Sequence, residues 1–236
     1  MNTDTTRQPH RSLATFCNYE LRITNYELPP CGLTGIVLAG GKSSRMGQDK
    51  ALLSIGGVPL LRLVCDRAIA LCHLVYVVTP WQERYQHLLP ARCQFVNEIS
   101  IVGEANAPII GFAQGLAQAQ TDWVLLLACD LPNLQVEQLQ QWANQLDKVS
   151  KDAIALLPRH AKGWEPLCGF YRRECLAGLT DFISLGGRSF QRWLEQNSVQ
   201  VLSVNDPQML FNCNTPADVA ILDSNVISNG DGLAIP

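Results

Sequence analysis

Three cations, Lys42, Arg45 and Lys50, follow two adjacent glycines, Gly40 and Gly41, with the hydroxyls of Ser43 and Ser44 among them. Adjacent glycines leave backbone N–H groups without side-chain cover. Bare N–H groups beside several cations suit an anion, above all a chain of phosphates. The plainer alternative is a turn that carries a solvated basic loop. A second candidate is Asp130, which ends the apolar run Leu125-Leu126-Leu127-Ala128-Cys129 and precedes Leu131-Pro132. A carboxylate there can hold Mg²⁺ against nucleotide phosphates, because that ion takes one or two carboxylates and keeps several waters. It can equally cap a helix after Pro132. The four histidines, His10, His73, His87 and His160, are scattered, so no zinc set is expected. No Ser, Cys and His combination resembles a nucleophile with its base.

Spacing separates the glycine loop from two familiar ones. A P-loop ending at Gly41-Lys42-Ser43 needs its first glycine at position 36, which is Ile36. Its intervening residues would also be the apolar run itself, where a P-loop needs the loop after the strand. The dinucleotide pattern fails as well, because Gly40, Gly41 and Gly47 have the wrong intervals. The run Leu38-Ala39-Gly40-Gly41-x-x-x-Arg45-Met46-Gly47-x-Asp49-Lys50 instead resembles the signature of the molybdopterin-activating nucleotidyltransferases, most closely the molybdenum cofactor guanylyltransferases. Cys129-Asp130-Leu131-Pro132 resembles that family's metal-binding motif. Trp164-Glu165-Pro166-Leu167 and Phe211-Asn212-Cys213-Asn214-Thr215-Pro216 resemble its second-half motifs.

The resemblance, over roughly residues 33–222, implies transfer of GMP from GTP to the terminal phosphate of molybdenum–molybdopterin, with release of pyrophosphate. It implies catalytic roles for Lys50, Asp130 and Arg45, with Mg²⁺ on Asp130 and both cations at the phosphates. Leu38, Ala39, Gly40 and Gly41 would line the nucleotide, and Glu98 would accept from guanine N1–H and N2–H. Gly40 stands where CTP-using relatives carry alanine, which would leave room for the larger purine. Glu165, Asn212 and Asn214 fall on the acceptor side. Two positions depart from the family pattern: Ala107 replaces a loop glycine, and Thr79 stands where the family has asparagine. Cytidylyl or sugar-nucleotidyl transfer on the same scaffold, or a catalytically silent nucleotide-binding protein, remain as other readings. Gly186-Gly187-Arg188-Ser189 is open between a second anion site and a plain loop.

The elements that must position these residues alternate. Strands are expected at Gly35–Ala39, Leu74–Thr79, Cys93–Asn97, Trp123–Cys129, Ala153–Leu157, Pro166–Tyr171 and Val199–Val204. Between them, helical spacing runs through Pro59–Leu71, Gln82–Leu88, Pro108–Gln120, Gln135–Leu146, Arg173–Phe182 and Arg188–Gln196, with a last helix at Thr215–Leu222. Alternation of this kind predicts an α/β protein, three-layer, with a mostly parallel sheet and helices on both faces. The resemblance implies the nucleotide-diphospho-sugar-transferase version of this Rossmann-like plan. Ligands in such sheets lie at the carboxyl ends of strands, where Gly40 and Asp130 both fall.

Residues 1–30 carry a repeat, Asn18-Tyr19-Glu20-Leu21 and Asn25-Tyr26-Glu27-Leu28, and end at Pro29-Pro30. They are expected to be a non-core extension, residues 31–223 a single nucleotidyltransferase domain, and 224–236 a flexible tail. A net charge of −3 gives no electrostatic reason to expect nucleic acid or an anionic membrane as partner. No apolar run approaches the roughly 20 residues that span a bilayer. Nine cysteines, an odd number without a Cys-x-x-Cys pair, point to reduced thiols and the cytoplasm. GTP and molybdenum–molybdopterin are the expected partners; oligomeric state is not legible.

Overall fold

The structure, a computed structural model, describes residues 32–40, 49–99, 107–215 and 217–222. Gly41 and Arg45, the extension 1–30 and the tail 224–236 lie outside the described residues.

A central sheet runs in the order β10-β7-β9-β6-β1-β4-β5. Its members are β1 (Thr34–Leu38), β4 (Leu74–Thr79), β5 (Cys93–Asn97), β6 (Trp123–Ala128), β7 (Ala155–His160), β9 (Cys168–Arg172) and β10 (Val199–Leu202). A short β8 (Gly163–Trp164) folds back on the end of β7. β1 pairs in parallel with both β4 and β6, and β5 continues in parallel on β4. β9 is antiparallel to both of its neighbours, β6 and β7, so β7 regains the direction of β6.

Side-chain alternation explains the three layers. In β1, Val37 faces one core and Ile36 the other; in β6, Leu125 and Leu127 face one, Val124 and Leu126 the other. The first core is closed by α1 (Leu60–Ile69) and α4 (Val136–Ala143), through Leu61, Val64, Cys65, Leu139 and Trp142. The second is closed by α3 (Pro108–Leu116), α5 (Leu176–Ser184) and α6 (Phe190–Glu195), through Ile109, Phe112, Leu179 and Trp193. Every residue of β6 is buried, as a strand paired on both sides and covered on both faces requires. α3 comes close to the sheet at Gly115, where a β-carbon would sit 2.8 Å from Ile36 Cγ2.

The expected elements appear within a few residues of their predicted ends, with local exceptions. The helix expected at Gln82–Leu88 is a single turn, α2 (Gln82–Tyr85). A small hairpin, β2 (Ser54–Ile55) and β3 (Val58–Pro59), joins the end of the glycine-loop segment to α1. Residues 217–222 are helical. The seven described cysteines are thiols, not disulfides.

Because β1, β4, β5, β6 and β7 share a direction, their carboxyl ends form one edge. Hydrogen bonds extend the ladder beyond that edge: Ala39 N to Val78 O at 2.9 Å, Cys129 N to Leu38 O at 3.1 Å and Glu98 N to Thr79 O at 3.1 Å. Residues 39, 98 and 129 are thereby held side by side.

Candidate active site

Lys50 opens a 3₁₀ turn, Lys50–Leu52, that Asp49 caps by accepting from Ala51 N at 3.1 Å. The turn packs through Ala51, which is buried in the first core. From it the Lys50 ammonium reaches Asp130 Oδ2 at 3.2 Å and donates to Asn214 Oδ1 at 2.6 Å. Residues 80 and 164 positions apart in sequence thus meet at one nitrogen. Both partners of the ion pair keep some exposure, 24% for Lys50 and 17% for Asp130.

Asp130 does not cap a helix. α4 begins at Val136 with Gln135 at its N-cap position and no side-chain cap there, so the capping alternative is set aside. The Asp130 backbone carbonyl accepts from Cys213 N at 2.9 Å, tying the segment Asn212-Cys213-Asn214 to the end of β6. That segment is stiff for a local reason: Asp218 Oδ2 accepts from Asn214 N and Thr215 N at 2.8 and 2.7 Å, while Thr215 Oγ1 accepts from Asp218 N at 3.2 Å. Side chain and backbone satisfy each other reciprocally, as in a capping box. The charge-stabilising N–H donors hold the Asp218 carboxyl below the usual carboxylate range. Asn214 Nδ2 in turn donates to Asn212 O at 3.2 Å.

Glu98 lies buried against Gly40. A β-carbon on Gly40 would overlap the Glu98 carboxylate, and one on Gly111 would meet it at 3.6 Å. Gly40 is therefore required to seat Glu98, and the space expected there for a purine ring belongs to the carboxylate. The following residue is clamped to α3, since Ile99 N donates to Gln114 Oε1 at 2.9 Å and Gln114 Nε2 donates to Ile99 O at 2.8 Å. Burial pushes the Glu98 carboxyl up from its ordinary value. Thr79, where the resemblance expects asparagine, is buried and turns its hydroxyl to Trp81 N at 3.1 Å.

Glu165 lies within electrostatic reach of Asp130, its N–H bonded to Pro158 O at 2.9 Å. Burial raises its carboxyl; His160 lowers it and the negative charge of Asp130 raises it further. Arg188 donates from Nη1 to Ile183 O and Gly187 O, both at 2.7 Å. It serves the carboxyl end of α5, next to Gly186 at φ +85°, which supports the plain-loop alternative.

Of the expected residues, the structure brings Lys50, Asp130 and Asn214 into contact, with Asn212 adjoining. Gly40 and Glu98 form a second contact along the same edge. Glu165 is within electrostatic reach of Asp130. Sequence reasoning missed Tyr85, whose hydroxyl donates to Asp49 Oδ2 at 2.6 Å, and the Lys50–Asn214 bond. Only Asp49, within the signature, pointed towards the first of these.

Residues 35–201 match the MobA-like NTP transferase domain. A probable molybdenum cofactor guanylyltransferase from Trichormus variabilis is 63% identical over 190 residues, covering 80% of this chain and 90% of the relative. The molybdenum cofactor guanylyltransferase of Syntrophotalea carbinolica is 31% identical over 192 residues, covering 78% and 88%. The crystal structure of molybdopterin-guanine dinucleotide biosynthesis protein A from Archaeoglobus fulgidus shares the fold, with a TM-score of 0.66 at 22% identity, over 83% of this chain and 99% of that one. With its glycine loop, its Lys50–Asp130 pair and its carboxyl-edge geometry, the chain belongs to the MobA-like NTP transferases, a family of nucleotidyltransferases.

Proposed function

We propose that this protein transfers GMP from GTP to the terminal phosphate of molybdenum–molybdopterin, yielding the guanine dinucleotide form of the cofactor and pyrophosphate. The observation that carries this reading is the convergence of Lys50, Asp130 and Asn214 at one point of the carboxyl edge, in a chain 63% identical to a relative of that name. An oxygen of the acceptor phosphate attacks the α-phosphorus of GTP. The bond from that phosphorus to the bridging oxygen breaks, and pyrophosphate leaves with the electron pair. A phosphate oxygen is already ionised at neutral pH, so no general base is needed. The task left to the protein is alignment and charge neutralisation.

Lys50, together with Arg45, neutralises the triphosphate, and the ammonium exchanges its Asp130 partner for phosphate oxygens. The donor at Asp130 fits Mg²⁺: a hard, part-exposed carboxylate, suited to an ion that takes one or two carboxylates and keeps several waters. Bound there, the ion supplies Lewis-acid stabilisation of phosphate charge. Glu98 and backbone around Leu38, Ala39 and Gly40, with Gly41 beside them, accept from the guanine edge. Glu165, Asn212 and Asn214 face the acceptor. Among the described residues no helix is long and apolar enough to cross a membrane. We place the reaction in the cytoplasm, where thiols such as the seven described ones stay reduced.

The test is pyrophosphate release with molybdenum–molybdopterin and each nucleoside triphosphate in turn. GTP should be preferred by about tenfold or more, because buried acceptors left unpaired by cytosine carry a penalty. Equal turnover of CTP and GTP would overturn the guanylyl assignment.

A further inference from the structure

Lys50 is useful only if its ammonium arrives at the carboxyl edge from the right side, and its own backbone sits in a turn of three residues. Such a turn has little internal rigidity. Apart from the burial of Ala51, its fixation comes from Asp49. One oxygen, Oδ1, accepts from Ala51 N at 3.1 Å and so holds the turn that carries Lys50. The other, Oδ2, accepts from the Tyr85 hydroxyl at 2.6 Å and lies 3.6 Å from an Arg84 guanidinium nitrogen. Arg84 is half exposed and leans over the Trp81 ring at 4.9 Å, so solvent weakens its hold. Tyr85 is different. It is fully buried at the end of α2, its ring part of the first core, directly after β4.

We infer that Tyr85 is a positioning residue for Lys50: its buried hydroxyl fixes the Asp49 carboxylate, which fixes the turn from which Lys50 reaches the triphosphate. The chain of contacts is continuous, from core-packed ring to hydroxyl, carboxylate, Ala51 N–H and Lys50 backbone. Burial and the adjacent carboxylate push the phenol's pKa up, so the hydroxyl remains a donor throughout the neutral range. A short bond between a hydroxyl and a carboxylate is among the stronger hydrogen bonds available to a protein. It gives α2, the turn that follows β4, a direct hold on the residue that caps the Lys50 turn.

The inference rests on Lys50 as a triphosphate ligand, and one cycle of variants tests both. GTP affinity is measured for wild type, Tyr85→Phe, Lys50→Ala and the double variant, alongside kcat and KM for wild type and Tyr85→Phe. Tyr85→Phe keeps the ring and its packing, and should weaken GTP binding about tenfold. In the Lys50→Ala background the same change should do almost nothing, because the group it positions is gone. A merely structural tyrosine would weaken binding equally in both backgrounds, and that result would overturn the inference alone. Wild-type affinity in Tyr85→Phe would do the same. Unchanged affinity in Lys50→Ala would overturn the reading of Lys50 and this inference with it. Asp49→Asn provides a second entry to the cycle should Tyr85→Phe fail to fold. Its single side-chain oxygen cannot serve Ala51 and Tyr85 as the carboxylate does, and its effect should likewise vanish without Lys50.

Discussion

At the scale of single residues, the Gly40–Glu98 contact makes two demands that can be separated. Alanine at 40 would collide with the carboxylate, whereas aspartate at 98 withdraws it by one methylene. Gly40→Ala should therefore lower kcat/KM for GTP by about tenfold or more, and Glu98→Asp in the same protein should restore part of the loss. Steady-state kinetics on wild type and the two variants checks it; no restoration would mean that Gly40 acts on the ligand rather than on Glu98. The same glutamate sets a pH dependence. Its carboxyl is raised by burial above the ordinary 4.5, so its contribution to folding is present at low pH and lost as the pH climbs through the raised value. Guanine donors require the ionised form, so the linkage for GTP has the opposite sign. Affinity should rise over the window in which Glu98 ionises, and Glu98→Gln should remove that rise, as titration calorimetry at several pH values would record. Asp130→Asn, nearly isosteric, should abolish turnover while leaving thermal unfolding close to wild type. Near-normal activity would take Asp130 out of the mechanism.

At the scale of elements, β9 shows where close packing fixes the architecture. It runs against β6 and β7, and at Gly169 a β-carbon would lie 2.8 Å from the Leu156 carbonyl oxygen and 2.6 Å from Leu157 Cδ2. Backbone on a paired strand has little freedom to retreat, so Gly169→Ala should destabilise by about 1–3 kcal/mol, seen as a lower denaturant midpoint with an unchanged slope. The apolar runs that became β1, β4 and β6 were plain in the sequence because each is buried on both faces. The glycines and Asp130 at their ends could be placed on one edge for the same reason. The reversed direction of β9 was not legible, since period-two burial looks the same whichever way a strand runs. The β2–β3 hairpin was too short to carry a period. Lys50 and Asp130 were legible as types in a signature. Their joint contact with Asn214, and the reach of Tyr85 to Asp49, depend on tertiary distance and left no local trace.

At the scale of the whole molecule, the first buried residue among those described is Leu33, and the family match begins at residue 35. We propose that residues 1–30 are dispensable: protein starting at Cys31 should unfold at the same temperature and retain its kcat, and an insoluble or inactive product would refute this. The bonds from the Lys50 ammonium to Asp130 and Asn214 carry a consequence in time. During synthesis the lysine leaves the ribosome 80 residues before its acid partner and 164 before its amide partner. At about 5–20 residues per second, the second interval is roughly 10–30 s. A nascent chain can pair β1, β4 and β6 long before Asn214 has been made. Copies terminated before residue 214 would carry the glycine loop and still lack the third member of the cluster, so only a chain extended past Asn214 can acquire the whole of it.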